Sequence, residues 1–186
     1  HPRRNETCKQ QYPELKSAWS CLLSKPQQAS VAIIGDSHAH QYYKGLANKL
    51  LGASVLNFSV PGCLPFSSNY SLSSFCNDKF HMAIEFFENN YSIDTIILTG
   101  YFSYLAAGFE GENVEGQRVA KVLDDKHRHA FQESANRMLS VLLSLNRKVV
   151  VILDIPDLVF RPRDCITFEN PVMAFIRGTK NKKNLD

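Results

Sequence analysis

The segment Val31–His38 constrains the fold of this chain more than any other. A short run of β-branched and apolar residues stops abruptly at Gly35-Asp36-Ser37-His38, and a helix-like pattern follows at once. Such a run predicts a buried strand of a parallel sheet. Ligands of open α/β sheets bind beyond the carboxyl ends of these strands. Ser37 therefore stands where a nucleophile is useful, at a helix N-terminus whose free N–H groups can stabilise an oxyanion.

The same residues also have an ordinary structural interpretation. Asp and Ser commonly cap helices, and Gly commonly forms turns. The tripeptide Gly-Asp-Ser by itself therefore leaves two interpretations open, a helix cap and a catalytic serine.

Strands alternate with helices along the rest of the chain. The pattern predicts strands at 30–35, 55–60, 95–99 and 148–154, helices at 13–24, 39–51, 76–90, 123–145 and 171–177, a Ser-rich loop at 63–74 and an excursion loop at 108–122. This alternation predicts a doubly wound, flavodoxin-like α/β fold with a parallel sheet and helices on both faces. Because no fifth strand is predicted, we expect the chain to be the N-terminal part of a larger domain, truncated at its C-terminus.

Composition narrows the class of protein. The 186 residues are 44% hydrophobic and 21% charged, which suits one globular domain with a core. The net charge is +3 and the basic residues are scattered, so we expect no nucleic-acid partner. No apolar run is long enough to span a membrane, and the start of the chain shows no signal-peptide pattern.

The chain has five cysteines, and their spacing suggests an oxidising compartment. Cys8 and Cys21 flank one short segment, and Cys63 and Cys76 flank another, which fits two local disulfides. The alternative is five buried thiols in a cytosolic protein. No Cys/His cluster has zinc spacing, so we expect no metal site. Cys165 is left over, and we expect its partner to lie outside this chain.

Residues able to do chemistry follow each predicted strand. The four strands are followed by Asp36, Ser37 and His38, by Pro61 and Gly62, by Gly100, Tyr101 and Phe102, and by Asp154 and Asp157. Because the carboxyl ends of parallel strands meet at one edge, these residues are expected to share a rim. A hydroxyl nucleophile, a backbone donor and nearby carboxylates are the layout that acyl transfer requires.

Two blocks around this rim carry a family resemblance. Gly35-Asp36-Ser37-His38-Ala39, followed by the segment 57–65 with its Pro-Gly-Cys-Leu-Pro sequence, resembles the SGNH (GDSL) hydrolases, specifically the extracytoplasmic SGNH domain fused to bacterial membrane acyltransferase-3 proteins. Residues 152–157, with Pro162 and Cys165, resemble the fourth-strand region of that subgroup. The resemblance implies that Ser37 is the nucleophile, and that its N–H and that of Gly62 are oxyanion donors.

The chain departs from the family pattern in two blocks. The third block of the family is Gly-x-Asn, with an oxyanion donor in the Asn side chain, but Phe102 stands in that place and cannot donate. The base of the family is the His of an Asp-x-x-His motif near the domain's C-terminus. Here only Asp124-Asp125-Lys126-His127 has that spacing, at the start of a predicted helix, where a cap and a surface histidine are expected. We therefore expect the base to lie beyond Asp186, and this chain alone to be inactive.

The resemblance implies a serine-dependent O-acyltransferase, which O-acetylates a cell-surface polysaccharide such as lipopolysaccharide, or a carbohydrate esterase. No cofactor is implied, a membrane acyltransferase domain delivers the acyl group, and the location is the periplasmic side of the inner membrane. The alternative is a non-catalytic polysaccharide-binding module, with aromatic residues stacking on sugar rings: Phe66, Tyr101, Phe102 and Tyr104. A flavodoxin-like cofactor or phosphoacceptor domain fits less well, because no Gly-rich phosphate loop follows the first strand.

The expected domain organisation has two parts. Residues 1–29 form an N-terminal extension with a short helix tied by a Cys8–Cys21 disulfide. Residues 30–186 form the SGNH-like domain, incomplete at its C-terminus, in which a Cys63–Cys76 disulfide tethers the loop beside Gly62.

Overall fold

A computed structural model describes residues 4–66, 74–102, 109–112, 118–120 and 125–153 of the chain. The helices are α1 (Glu6–Gln11), a 3₁₀ helix (Pro13–Ser17), α2 (Ser37–Lys49), α3 (Ser74–Asn89) and α4 (Asp125–Ser144). The strands are β1 (Leu22–Leu23), β2 (Val31–Gly35), β3 (Val55–Ser59), β4 (Thr95–Thr99), β5 (Phe109–Glu112), β6 (Arg118–Ala120) and β7 (Lys148–Ile152). The helix predicted at 171–177 lies outside the described residues.

The main sheet has the strand order β1-β3-β2-β4-β7. Strands β3, β2, β4 and β7 run parallel, and β1 is antiparallel to β3 at the edge. The parallel sheet of an α/β fold that the sequence predicts is therefore confirmed. The chain places β3 on one side of β2 and β4 on the other, so the strand order reverses at β2. The carboxyl end of β2 is thus the switch point where ligands of such sheets bind.

Helices cover both faces of the sheet, which explains why its central strands are mostly apolar. Ala32 and Ile34 of β2 face a large cluster that includes Phe87 of α3 and Met138 of α4. Val31 and Ile33 face the opposite way, into a smaller cluster beneath α2. Every residue of β2 and of β3 is buried, as expected for strands covered on both sides.

The prediction of a helix at 13–24 is wrong. Only Pro13–Ser17 is helical, as a 3₁₀ turn, whereas Leu22–Leu23 is a strand paired with β3. The preceding helix α1 was missed, although Asn5 caps it by accepting a hydrogen bond from Cys8 N (2.9 Å). Short apolar runs do not distinguish helix from strand by spacing alone, and here the decision comes from the free edge of β3.

Two further expectations change in detail. The excursion loop predicted at 108–122 contains an antiparallel pair, β5 and β6. The main sheet has five strands within the described ranges rather than four, because β1 joins it. Across the same ranges, none of the helices has the length and hydropathy that a membrane span needs.

The N-terminal segment packs on the main core rather than away from it. Cys8, Tyr12 and Leu15 are buried in the same cluster as residues of β2, β3 and β4. The phenolic oxygen of Tyr12 accepts a hydrogen bond from the backbone N–H of Ala29 (2.7 Å), which anchors the 3₁₀ turn to the entry of β2. The division of the chain at residue 29/30 stays a prediction.

Candidate active site

The turn from β2 to α2 leaves Ser37 exposed at the first residue of the helix. Asp36 is the N-cap, because its Oδ1 accepts a hydrogen bond from the backbone N–H of His38 (2.8 Å). The Ser37 hydroxyl is bonded to none of the described residues. Asp36 rather than Ser37 therefore caps α2, and the hydroxyl of Ser37 can serve another role.

The Asp36 carboxylate also connects two strand ends. Its Oδ2 accepts a hydrogen bond from the backbone N–H of Tyr101, just beyond β4, at 2.8 Å. Asp36 is only 5% exposed, so both bonds form in a partly dehydrated site where they are stronger than in water. The sequence predicts Asp36 at the rim but not this role, because Tyr101 is 65 residues away in the chain.

The His38 ring lies between Asp36 and the Tyr101 ring. Its Nδ1 is 3.2 Å from Asp36 Oδ1, and its side chain is 29% exposed. The ring centroids of His38 and Tyr101 are 5.3 Å apart, with an angle of 31° between the planes. His38 is therefore held in one orientation beside Ser37, at the side of the switch point that faces β4.

The turn that follows β3 brings Gly62 to the same edge of the sheet. The backbone N–H of Val60 donates to Gly35 O (2.8 Å), and the N–H of Cys63 donates to Val60 O (3.0 Å). Gly62 has a φ of 75°, a conformation that glycine adopts without strain, and it is exposed. The structure thus brings Ser37 and Gly62 to neighbouring strand ends. Their roles as nucleophile and oxyanion donors stay a prediction.

Two disulfides tie this architecture together, and they join the predicted pairs. Cys63 bonds to Cys76 and so links the Gly62 turn to α3. Cys8 bonds to Cys21 and links α1 to the segment before β1. The predicted odd thiol, Cys165, lies outside the described residues.

Phe102, which stands in the position of the Asn of the family's third block, packs against another aromatic ring. The ring of Phe102 stacks on Phe66 with centroids 5.5 Å apart, and Phe66 meets Phe131 edge-on at 5.6 Å. Phe66 is only 9% exposed. Phe66 is therefore part of the core, and the half-buried Phe102 packs against it. Tyr104, the other aromatic residue suggested for that role beside Tyr101, lies outside the described residues.

His40, near Ser37 in α2, contacts a buried residue, and the side chains of the remaining candidates lie outside the described residues. His40 Nδ1 is 3.3 Å from Nδ2 of Asn57, a fully buried side chain of β3 that the sequence suggested only as a strand residue. His127 lies in the first turn of α4, as predicted for a helix start, but its side chain is outside the described set. Asp124, Asp154 and Asp157 are outside it as well.

The chain is thus an α/β protein with an open, mostly parallel sheet, an exposed serine at its switch point and a glycine turn at the neighbouring strand end. A family model described as "SGNH domain (fused to AT3 domains)" matches residues 7–183, and the chain belongs to this family. The family implies activity of the hydrolase or acyltransferase type, and its fusion to AT3 domains supports a membrane acyltransferase partner. No curated protein and no solved structure matches the chain significantly.

Proposed function

We propose that this chain carries the serine of an O-acyltransferase or carbohydrate esterase that acts on a polysaccharide. The observation that carries the proposal is the exposed Ser37 at the switch point, whose capping role is taken over by Asp36. A serine needed only as a cap would bond to the backbone of its own helix. The Ser37 hydroxyl instead has no hydrogen bond to a described residue, and it follows the strand that lies between β3 and β4.

The reaction has two halves. Ser37 Oγ attacks the ester carbonyl and loses its proton to a general base, while the N–H groups of Ser37 and Gly62 stabilise the oxyanion. The acyl–oxygen bond of the donor breaks, and the leaving oxygen takes up a proton. A sugar hydroxyl or water then attacks the acyl-enzyme and gives its proton to the base, the acyl–Ser37 bond breaks, and Ser37 Oγ takes up a proton. No described histidine is hydrogen-bonded to the Ser37 hydroxyl, so the base is not assigned among the described residues.

The setting that we propose is the periplasmic side of a membrane, with the acyl group delivered by a membrane acyltransferase domain. The family's fusion to AT3 domains supports the donor. Two disulfides support an oxidising compartment, because such bonds persist outside the reducing cytosol. The acceptor is a cell-surface polysaccharide, and acetyl is the acyl group.

The proposal is tested by the Ser37→Ala variant. We expect turnover of an activated acetyl ester by the full-length protein to fall by at least about a thousandfold, because the acyl-enzyme can no longer form. A fluorophosphonate probe should add its mass to Ser37 in the unmodified protein and not in the variant. Ser144→Ala, which removes an exposed hydroxyl at the end of α4, is the matched control and should react like the unmodified protein. Undiminished turnover by Ser37→Ala would contradict the proposal.

A polysaccharide-binding module on the same fold is the second candidate, and Phe102 favours it. A phenylalanine packed against Phe66 occupies the place of the Asn oxyanion donor. Loss of one such donor typically costs about a hundredfold to a thousandfold in rate. Glycan binding without any probe adduct on Ser37 would support this candidate over the enzyme.

A further inference from the structure

We propose that His38 positions the saccharide acceptor, with Nε2 receiving a hydrogen bond from a sugar hydroxyl and the His38–Tyr101 ring pair forming a wall against the sugar ring. This inference rests on the proposed function, since it specifies how the same site holds its acceptor. The observations behind it are the Asp36–His38 contact, the ring pair with Tyr101 and the position of His38 beside Ser37.

The contact with Asp36 determines which nitrogen of His38 carries the proton. Asp36 accepts hydrogen bonds from two backbone N–H groups, those of His38 and Tyr101, so its carboxylate acts as an acceptor. The Nδ1 that faces this carboxylate at 3.2 Å therefore carries the proton of the neutral ring. Nε2 is left with a lone pair, which can accept a hydrogen bond from a hydroxyl but cannot donate one to an oxyanion.

The position of the His38 ring suggests that the acyl donor and the sugar acceptor occupy opposite sides of Ser37. Gly62 follows β3 on one side of β2, whereas Tyr101 follows β4 on the other side. If the acyl oxygen lies toward Gly62, the side of Ser37 toward β4 is left for the attacking hydroxyl. Of the described residues, His38 and Tyr101 lie on that side, and both are partly exposed.

The His38 and Tyr101 rings also match the chemistry of a sugar. A pyranose presents an apolar C–H face and a rim of hydroxyl groups, so it needs an aromatic surface and a polar acceptor close together. Tyr101 and His38 provide these within one pair of rings, with centroids 5.3 Å apart. Because Asp36 and Tyr101 hold the imidazole, little side-chain entropy is lost when the sugar binds.

A titration of the chain with methyl α-D-glucopyranoside and methyl α-D-galactopyranoside, followed by NMR, tests the inference without requiring turnover. We expect at least one glycoside to shift the His38 Nε2 resonance and the Tyr101 ring protons in a saturable way. His38→Leu and Tyr101→Leu should each weaken that binding by about fivefold to tenfold, the effect of losing one hydrogen bond or one stacking contact.

Two further variants keep the test interpretable. His38→Gln should restore most of the affinity, because its amide N–H can donate to Asp36 while its carbonyl accepts from the sugar. His129→Leu, on the exposed side of α4, removes a histidine that is 73% exposed and is the matched control. It should bind like the unmodified chain.

Three outcomes would overturn the inference: no saturable shift with either glycoside, binding that leaves His38 Nε2 unmoved, or equal affinity for His38→Leu and the unmodified chain. Failure of the proposed function has a different signature, since it appears as ester turnover that survives Ser37→Ala. The two results are measured in separate assays and are therefore distinguishable.

Discussion

At the scale of single residues, three neighbours in the β2–α2 turn have separate tasks. Gly35 lets the end of β2 lie against the Thr99 carbonyl, since a Cβ at Gly35 would be 1.6 Å from that oxygen. Asp36 caps α2 and binds the end of β4. Ser37 is left exposed. The motif is visible in the sequence, but the assignment of the cap to Asp36 rather than Ser37 depends on side-chain geometry.

Gly35→Ala should therefore be severely destabilising. The added methyl group meets backbone atoms that cannot rotate away, and the φ of 151° is strained for any residue with a Cβ. We expect the free energy of unfolding to fall by about 3 kcal/mol or more, measured by urea denaturation.

Gly45→Ala is the matched control for that experiment. Gly45 lies inside α2, and nothing lies within 4 Å of the position its Cβ would take. It should gain about 0.5–1 kcal/mol of stability, because alanine is the better helix former. Equal denaturation midpoints for the two variants would refute the steric role of Gly35.

At the scale of elements, the two disulfides close loops of the same size but in different places. Each joins cysteines that are 13 residues apart in sequence, so their effects on the entropy of the unfolded chain are similar. Only Cys63–Cys76 holds the turn that contains Gly62. The Cys8–Cys21 bond holds α1 against the segment before β1.

Removing Cys63–Cys76 with paired serine substitutions should impair catalysis beyond its effect on stability. The Gly62 turn would lose its link to α3, and small displacements of an oxyanion donor cost rate steeply. Below the unfolding temperature of both variants, we expect kcat/KM of the full-length protein for an activated ester to fall by at least about tenfold relative to the Cys8/Cys21 serine pair. Similar kcat/KM values for the two variants would contradict the local role of the disulfide.

At the scale of the whole molecule, a tyrosine belongs to or packs against the core on each face of the sheet. Burial raises the pKa of Tyr12 in the larger core. Burial also raises the pKa of Tyr43, which packs on the smaller core, to about 12. A raised pKa means that the folded state holds the phenolic proton more tightly than the unfolded chain. The associated stability is complete below pH 10 and is lost as the pH rises toward 12.

Tyr43→Phe should remove part of this alkaline loss. Across pH 10 to 12 we expect the free energy of unfolding to decline by roughly 1–3 kcal/mol less in the variant than in the unmodified protein. Denaturant unfolding at several pH values provides the measurement. Tyr42→Phe changes the neighbouring tyrosine, which is 39% exposed, and is the comparison variant. A slope that Tyr43→Phe leaves unaltered would show that Tyr43 does not contribute.

The sequence by itself determined the features that depend on neighbours in the chain. The apolar runs of β2, β3 and β4, the glycine and serine of the first turn and the short cysteine spacings all act locally, so their patterns predicted strands, a turn and two disulfides. The parallel sheet followed from the alternation of these strands with helices.

Only the tertiary structure decided what depends on distant contacts. Leu22–Leu23 became a strand because β3 offers a free edge, which outweighs a helical spacing of apolar residues. The order of the strands makes the end of β2 the switch point. There the Asp36 carboxylate accepts a hydrogen bond from the backbone N–H of Tyr101, at the end of β4. The half-buried Phe102 packs against the core residue Phe66. Such choices are made by packing and hydrogen bonds between segments tens of residues apart, and a local pattern does not encode which segments meet.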